Sequence, residues 1–247
     1  MYADRSQGNP HPTKLAPSRR SLLLFAISAF VVPFGGNIVE AKQAAAPPKP
    51  DNQLSPDAAL KRLMEGNDRY VQSVSRGRDL ERERRLLVDS QNPYAAVLSC
   101  ADSRVAPELA FDSGLGDLFV CRIAGNFVND DTLASLEYAV AVLNAPLILV
   151  LGHDHCGAID ATINSLDEGK PAPGHMRSLV SALAPAVRGS GHQPGDSSAD
   201  AIRQNVIDNV NKLKSASPIL NPAVEQKTLK IIGGLYRLET GRVDVLG

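Results

Sequence analysis

The chain is short of net charge, of cysteine and of long apolar runs, and each shortage excludes something. Its 26 basic and 27 acidic residues leave a formal charge of -1. No basic field is available to attract nucleic acid or an anionic membrane, so small molecules are the expected partners. Cysteine occurs three times, at Cys100, Cys121 and Cys156. An odd number does not make a disulfide framework, and no cysteine before Cys100 excludes a lipid-modified N-terminal cysteine. The most apolar stretch, residues 22–34, is shorter than the ~20 residues of a spanning helix. No internal repeat is evident. What remains, 43% hydrophobic and 21% charged with Gly 19 and Pro 17, is the make-up of one soluble globular domain carrying an extension.

The extension has the order of an export signal. Ser18-Arg19-Arg20-Ser21 precedes the apolar run, and Val39-Glu40-Ala41 offers small residues for cleavage. Residues 1–41 are therefore expected to be a signal peptide. The paired arginines resemble the twin-arginine type, whose route carries folded proteins. The expected location is the periplasm or an equivalent compartment outside the cytoplasm, with no stable membrane insertion once the signal is removed. Residues 42–54, rich in Ala and Pro, read as an extended linker, and residues 55–247 as a single domain.

That domain alternates strands and helices. Ser55, ahead of Pro56 and Asp57, starts a helix with Leu60, Leu63, Met64, Tyr70 and Val71 at roughly helical spacing. A charged helix over about 79–89 reads as a solvated face. Residues 94–99, 118–123 and 147–151 are apolar runs too short for ordinary helices and predict buried strands. Between the last two lies a helix capped by Asp130 or Asp131, with Leu133, Leu136, Val140 and Leu143 as its stripe and Asn144 and Pro146 at its end. Another helix is expected from Cys156-Gly157 through Ile163, then a surface loop at 189–198 and an amphipathic helix carrying Ala201, Ile202, Val206, Val210 and Leu213. Residues 230–236 and 243–246 complete the strands. The repeated strand, helix, strand order implies parallel pairing with right-handed crossovers. The expected fold is α/β: four parallel strands plus a C-terminal antiparallel edge strand in a twisted sheet flanked by helices.

Two stretches carry the chemistry. Cys100-Ala101-Asp102-Ser103-Arg104 and His153-Asp154-His155-Cys156-Gly157 each follow a predicted strand, where side chains of an open α/β sheet converge on a ligand. They offer two thiolates, an imidazole and a carboxylate, a set that suits zinc. A closed site with all four on the metal would only staple the fold. Arg104, two residues after Asp102, argues otherwise: its guanidinium can hold the carboxylate off the metal and leave a position for water. Cys121, in the run Phe119-Val120-Cys121, reads as a small buried apolar residue.

These residues resemble the β-class carbonic anhydrases. Beyond the two metal stretches, Gly114-x-Gly116-Asp117-Leu118-Phe119-Val120, Arg122-x-Ala124-Gly125-Asn126 and Ser135-Leu136-Glu137-Tyr138-Ala139 match the family's intervening segments in order. The resemblance implies Zn2+ held by Cys100, His153 and Cys156, with Asp102 a ligand only in a closed state. It implies Asp102 and Arg104 as the catalytic dyad that orients zinc-bound hydroxide, and Gln91 as a donor to substrate oxygen. Phe119, Tyr138 and the backbone N–H of Gly157 are expected to line the substrate cleft, part of which comes from a neighbouring subunit in the family. The reaction would be reversible hydration of carbon dioxide to bicarbonate and a proton, by a homodimer or higher homo-oligomer whose N-terminal helices pack on the partner.

Family members that close the aspartate onto zinc carry a tryptophan three residues before the first cysteine ligand. This chain has Val97 there and no tryptophan at all, so the open, water-bearing type is expected. His155 is an exposed loop histidine or a proton shuttle, with the first favoured, and His175 and His192 look solvated. Two other readings stand beside the leading one: a carbonyl sulfide or carbon disulfide hydrolase on the same scaffold, and a non-catalytic zinc protein.

Overall fold

A computed structural model describes residues 48–246; the expected signal peptide and the first part of the linker lie outside them. After a short 3-10 turn at Pro50–Asn52 the elements run α1 (Pro56–Val71), α2 (Leu80–Leu86), β1 (Ala95–Ser99), α3 (Pro107–Ala110), β2 (Leu118–Arg122), α4 (Asp130–Ala141) and β3 (Leu147–His153). They continue through α5 (Gly157–Asp167), α6 (Met176–Gly189), α7 (Ala199–Lys214), α8 (Leu220–Glu225), β4 (Lys230–Tyr236) and β5 (Val243–Leu246). No helix among the described residues is long and apolar enough to cross a membrane.

The strands form one sheet in the order β2-β1-β3-β4-β5. The first four are parallel and β5 runs antiparallel to β4, as the strand pattern predicts. β1 and β3 are buried along their whole length, which is why they read as unbroken apolar runs. Alternate residues face opposite ways. Ala96, Leu98, Ile148 and Val150 point into a core closed by α4, α5, α6 and α7. Ala95, Val97, Leu147, Leu149 and Leu151 point into a second core with Ala59 and Leu63 of α1.

Ser55 caps α1 as expected, its Oγ accepting from Ala58 N. Within the single chain α1 lies on its own sheet. Gly66 sits where a Cβ would stand 2.0 Å from the Phe111 carbonyl oxygen, so only glycine lets the helix approach that backbone. Asn67 fastens the same helix from below, donating to the carbonyls of Ala110 and Gly241 and accepting from Val243 N.

Three local expectations differ from the structure. The cap of α4 is Asn129, in a reciprocal box with Thr132, and Asp130 and Asp131 fall in the first turn, where their charge suits the helix dipole. Lys49 and Asn52, expected in the linker, are fixed to the body through Asn92 and Asp117. The His192 side chain is only 4% exposed, beside Asp167.

Candidate metal centre

Register brings the two chemical stretches together. Ser99 pairs with Leu151 across β1 and β3, so the chain leaving β1 delivers Cys100 beside the end of β3, which itself ends at His153. Cys156 then stands at the residue before α5, its side chain making no cap to the helix. The ligand atoms of Cys100, His153 and Cys156 lie within 4.8 Å of one another, and all three residues are buried. Cys121 stands apart from this group, packed against the core, where burial pushes its thiol up.

The donor set fits a soft divalent cation. His153 Nδ1 faces the Asp154 carbonyl oxygen at 2.8 Å; because a carbonyl only accepts, the proton sits on Nδ1 and Nε2 keeps its lone pair. That buried Nε2 has no hydrogen-bond partner, an arrangement that costs free energy unless an ion takes the lone pair. The Cys156 thiol beside it and the Gly125 N–H, which donates to its sulfur at 3.3 Å, outweigh burial and push the Cys100 thiol down to about 4. Cys156 is pushed up, by its bond to Cys100 and by burial. A bound cation would hold both as thiolates.

Asp102 is held by Arg104 on both oxygens. Its Oδ1 accepts from Arg104 N and Nε, each at 2.9 Å, and its Oδ2 from Nη2 at 2.8 Å. This fork holds the Asp102 carboxyl well below the usual carboxylate range. Asp102 Oδ2 remains 3.8 Å from His153 Nε2, facing the ligand cluster. Arg104 is positioned in turn by the carbonyl of His155, 3.2 Å from Nη2. A positive φ of 50° at His155 gives this residue a backbone role in the metal loop.

Two residues to which the sequence reading assigned no role complete the frame. Arg122 donates from Nε to the Cys100 carbonyl at 3.1 Å and from Nη2 to the Asp102 carbonyl at 2.6 Å, carrying the β1–β2 pairing on past the last backbone rung. Asp154 clips the metal loop to the end of β4: its N–H donates to the Tyr236 carbonyl and its Oδ1 accepts from Leu238 N. Arg122 stood in a recognised segment, but only the register shows what it reaches. The Gly157 position opens on free space, with nothing within 4 Å of where a Cβ would stand.

The remaining expected site residues lie elsewhere in the chain. Gln91 precedes β1, whereas Cys100 follows it, and a strand of this length spans roughly 17 Å. Phe119 is level with Ala96 near the start of β2. Its ring is 6.2 Å from that of Tyr138, on the last turns of α4. Gln91 and Tyr138 share a cleft of about 660 Å³ with Leu87, Val88, Val142 and Leu143. Within one chain, then, Gln91, Phe119 and Tyr138 gather at the end of the sheet opposite the metal ligands.

The fold and the Cys/His/Cys cluster define a class that comparison with known proteins bears out. The family model described as carbonic anhydrase matches residues 95–243. A carbonic anhydrase of Mycolicibacterium smegmatis is 42% identical over 77% of this chain and 93% of its own. Carbonic anhydrase 2 of Mycobacterium tuberculosis is 42% identical over 76% of this chain and 91% of its own. The structure is similar to that of the β-carbonic anhydrase CcaA (29% identity, TM-score 0.59, 76% of this chain and 95% of that one). It is also similar to the Coccomyxa β-carbonic anhydrase in complex with acetazolamide (29%, TM-score 0.58, 76% and 86%). The chain belongs to the β-class carbonic anhydrase family, and so to a family of lyases.

Proposed function

We propose that this chain is an exported zinc carbonic anhydrase of the open type, interconverting carbon dioxide and water with bicarbonate and a proton. One observation carries the reading: three soft donors converge with an unpartnered Nε2, while the Asp102 carboxylate that faces them is engaged by Arg104. Cys100, His153 and Cys156 would hold the ion. When bound, zinc supplies the acidity that makes water nucleophilic near pH ~7.

The chain's own groups do the rest. Asp102, kept ionised by Arg104, accepts a hydrogen bond from the attacking water and orients it. Gly157 N–H, at the start of α5, is placed to donate to a substrate oxygen. Gln91, Phe119 and Tyr138 reach a metal centre only if a second copy supplies them, so the working unit is a dimer or a multiple of it, with each cleft closed by the partner subunit. The exposed apolar side chains of Val88, Tyr138 and Val142 are suited to such an interface.

Stopped-flow hydration of carbon dioxide, with metal analysis of the same preparation, tests the proposal. Wild type should contain about one zinc per chain and hydrate carbon dioxide far above the buffer rate, and Asp102→Ala should keep the zinc and lose most of the rate. Equal background rates for both would overturn the enzyme and leave a non-catalytic zinc protein. Turnover of carbonyl sulfide or carbon disulfide in preference to carbon dioxide would move the substrate to a sulfur analogue. Cell fractionation that left the chain in the cytoplasm would overturn export.

A further inference from the structure

A second cleft, at the opposite end of the sheet from the metal ligands, gathers five cations beside the carboxylates of Asp51, Glu83, Asp112 and Asp117. Lys49, Arg62, Arg69, Arg76 and Arg78 line it around a volume of about 340 Å³, between the start of the described chain, α1 and the loops before β1 and β2. Most of these side chains are drawn in: Lys49 is 15% exposed, Arg69 and Arg78 22% each, and Arg62 27%. Arg62 lies over the buried Tyr94 ring, 4.4 Å from its centroid. Cations removed from water to this degree need acceptors.

The carboxylates that line the cleft are largely engaged, although Glu83 Oε1 has only a 3.7 Å contact with Lys49 Nζ. Asp112 Oδ1 takes Arg78 Nη2 and its Oδ2 takes Arg69 Nε, each at 2.6 Å. Asp117 Oδ1 takes Lys49 Nζ at 2.9 Å and Asn52 Nδ2 at 3.1 Å, and its Oδ2 takes Gly114 N at 2.8 Å. Glu83 Oε2 takes Leu115 N at 3.0 Å, and Asp51 is exposed to water. The donors are not spent. Among the described residues the Arg76 guanidinium makes no ion pair, although its backbone N–H is anchored on Asp112. Arg69 uses only Nε, leaving both terminal nitrogens free to donate. Arg76, exposed at the rim, and the free end of Arg69 thus leave two guanidinium forks open to an added oxyanion.

We propose that this cleft binds a small, doubly charged tetrahedral oxyanion of the phosphate or sulfate class, with Arg69 and Arg76 as its main donors and Arg62 closing one side. Such an ion fits the volume and offers several lone pairs to planar forks, where chloride offers a single point of charge. It would join α1, the loop carrying Arg76 and Arg78, and the edge of the sheet. Nothing in this assignment depends on the metal centre or on its chemistry.

Calorimetric titration of the whole chain with inorganic phosphate in a low-chloride buffer tests it. One saturable site is expected, with Kd weakened about tenfold in Arg76→Gln and unchanged in Asp102→Ala. The Arg76 side chain is exposed and makes no hydrogen bond or ion pair among the described residues, so Arg76→Gln should retain the fold. Arg69→Lys, which keeps the charge and loses the fork, should also weaken binding. Absence of a saturable heat, equal heats from chloride at matched ionic strength, or an Arg76→Gln variant that binds as tightly as wild type would overturn the site.

Discussion

The two ends of the sheet are built differently. Where the parallel strands finish, polar groups are buried and fixed: His153 is fully enclosed, Cys100 and Cys156 are 3% and 1% exposed, and Arg104, Arg122 and Asp154 brace the loops that carry them. Where the strands begin, the surface around the residues expected to meet substrate is open, with Tyr138 47% and its cleft neighbour Val142 56% exposed. A metal centre needs donors held to a fraction of an ångström and can be completed by local backbone. Enclosing a small apolar substrate needs surface, and another molecule can provide that. In the function proposed above, the chain completes the first task alone and leaves the second to association.

Several substitutions would break or sharpen this contrast. The largest effect is expected at the ligand end: Cys156→Ser exchanges a soft donor for a hard one and should abolish both zinc content and hydration, lowering the rate by roughly a thousandfold or more, as measured by metal analysis and stopped flow. Next comes Arg104→Gln. It frees Asp102 from its fork, so zinc should remain while hydration falls about a hundredfold; loss of metal together with rate would show that the fork serves folding instead.

A smaller loss, about tenfold in kcat/KM with zinc unchanged, is expected for Gln91→Ala, on the scale of one lost hydrogen-bond donor. Mixing two differently impaired chains sharpens the test. Co-assembly of Gln91→Ala with His153→Ala places an intact Gln91 against an intact metal centre at one interface, and should restore activity above that of either variant alone. Activity no higher than the Gln91→Ala contribution would mean that one chain builds its own cleft.

The smallest effect should leave turnover untouched. Asp117 is buried, which alone would raise its pKa, but Lys49, the Gly114 N–H and Asn52 outweigh burial and hold it below the ordinary value. A carboxyl depressed in the folded state adds stability that is fully present above the unfolded value of ~3.9 and is lost as pH falls from there through the folded value. Asp117→Asn should therefore lower neutral-pH stability by about 1–3 kcal/mol and flatten the decline below pH ~4, as followed by denaturant unfolding across pH.

The same contrast sets what could be read from the sequence. β1 and β3 were legible because full burial writes itself as an apolar run, and β4 and β5 because a turn at Thr240-Gly241 separates two such runs. The trio Cys100, His153 and Cys156 was legible because soft donors sat just past strands that prove adjacent. α6 was not, since Pro185 interrupts its pattern, and neither was the cap of α4, where Asn129 stands directly before two aspartates. The place of Gln91 was hidden for a plainer reason: nine residues of sequence separate it from Cys100, and a strand turns that short interval into the length of the sheet. Arg122 and Asp154 act on backbone carbonyls and amides, which no side-chain motif records.

The brace on His153 has a consequence for acid tolerance. The imidazole proton is held by the Asp154 carbonyl, a group that does not titrate, while the Asp154 carboxylate is turned to Leu238 N. Acidification therefore cannot loosen the ring's orientation by neutralising its support. Release of a bound ion on lowering the pH would be governed by competition between protons and metal for the ligand atoms themselves.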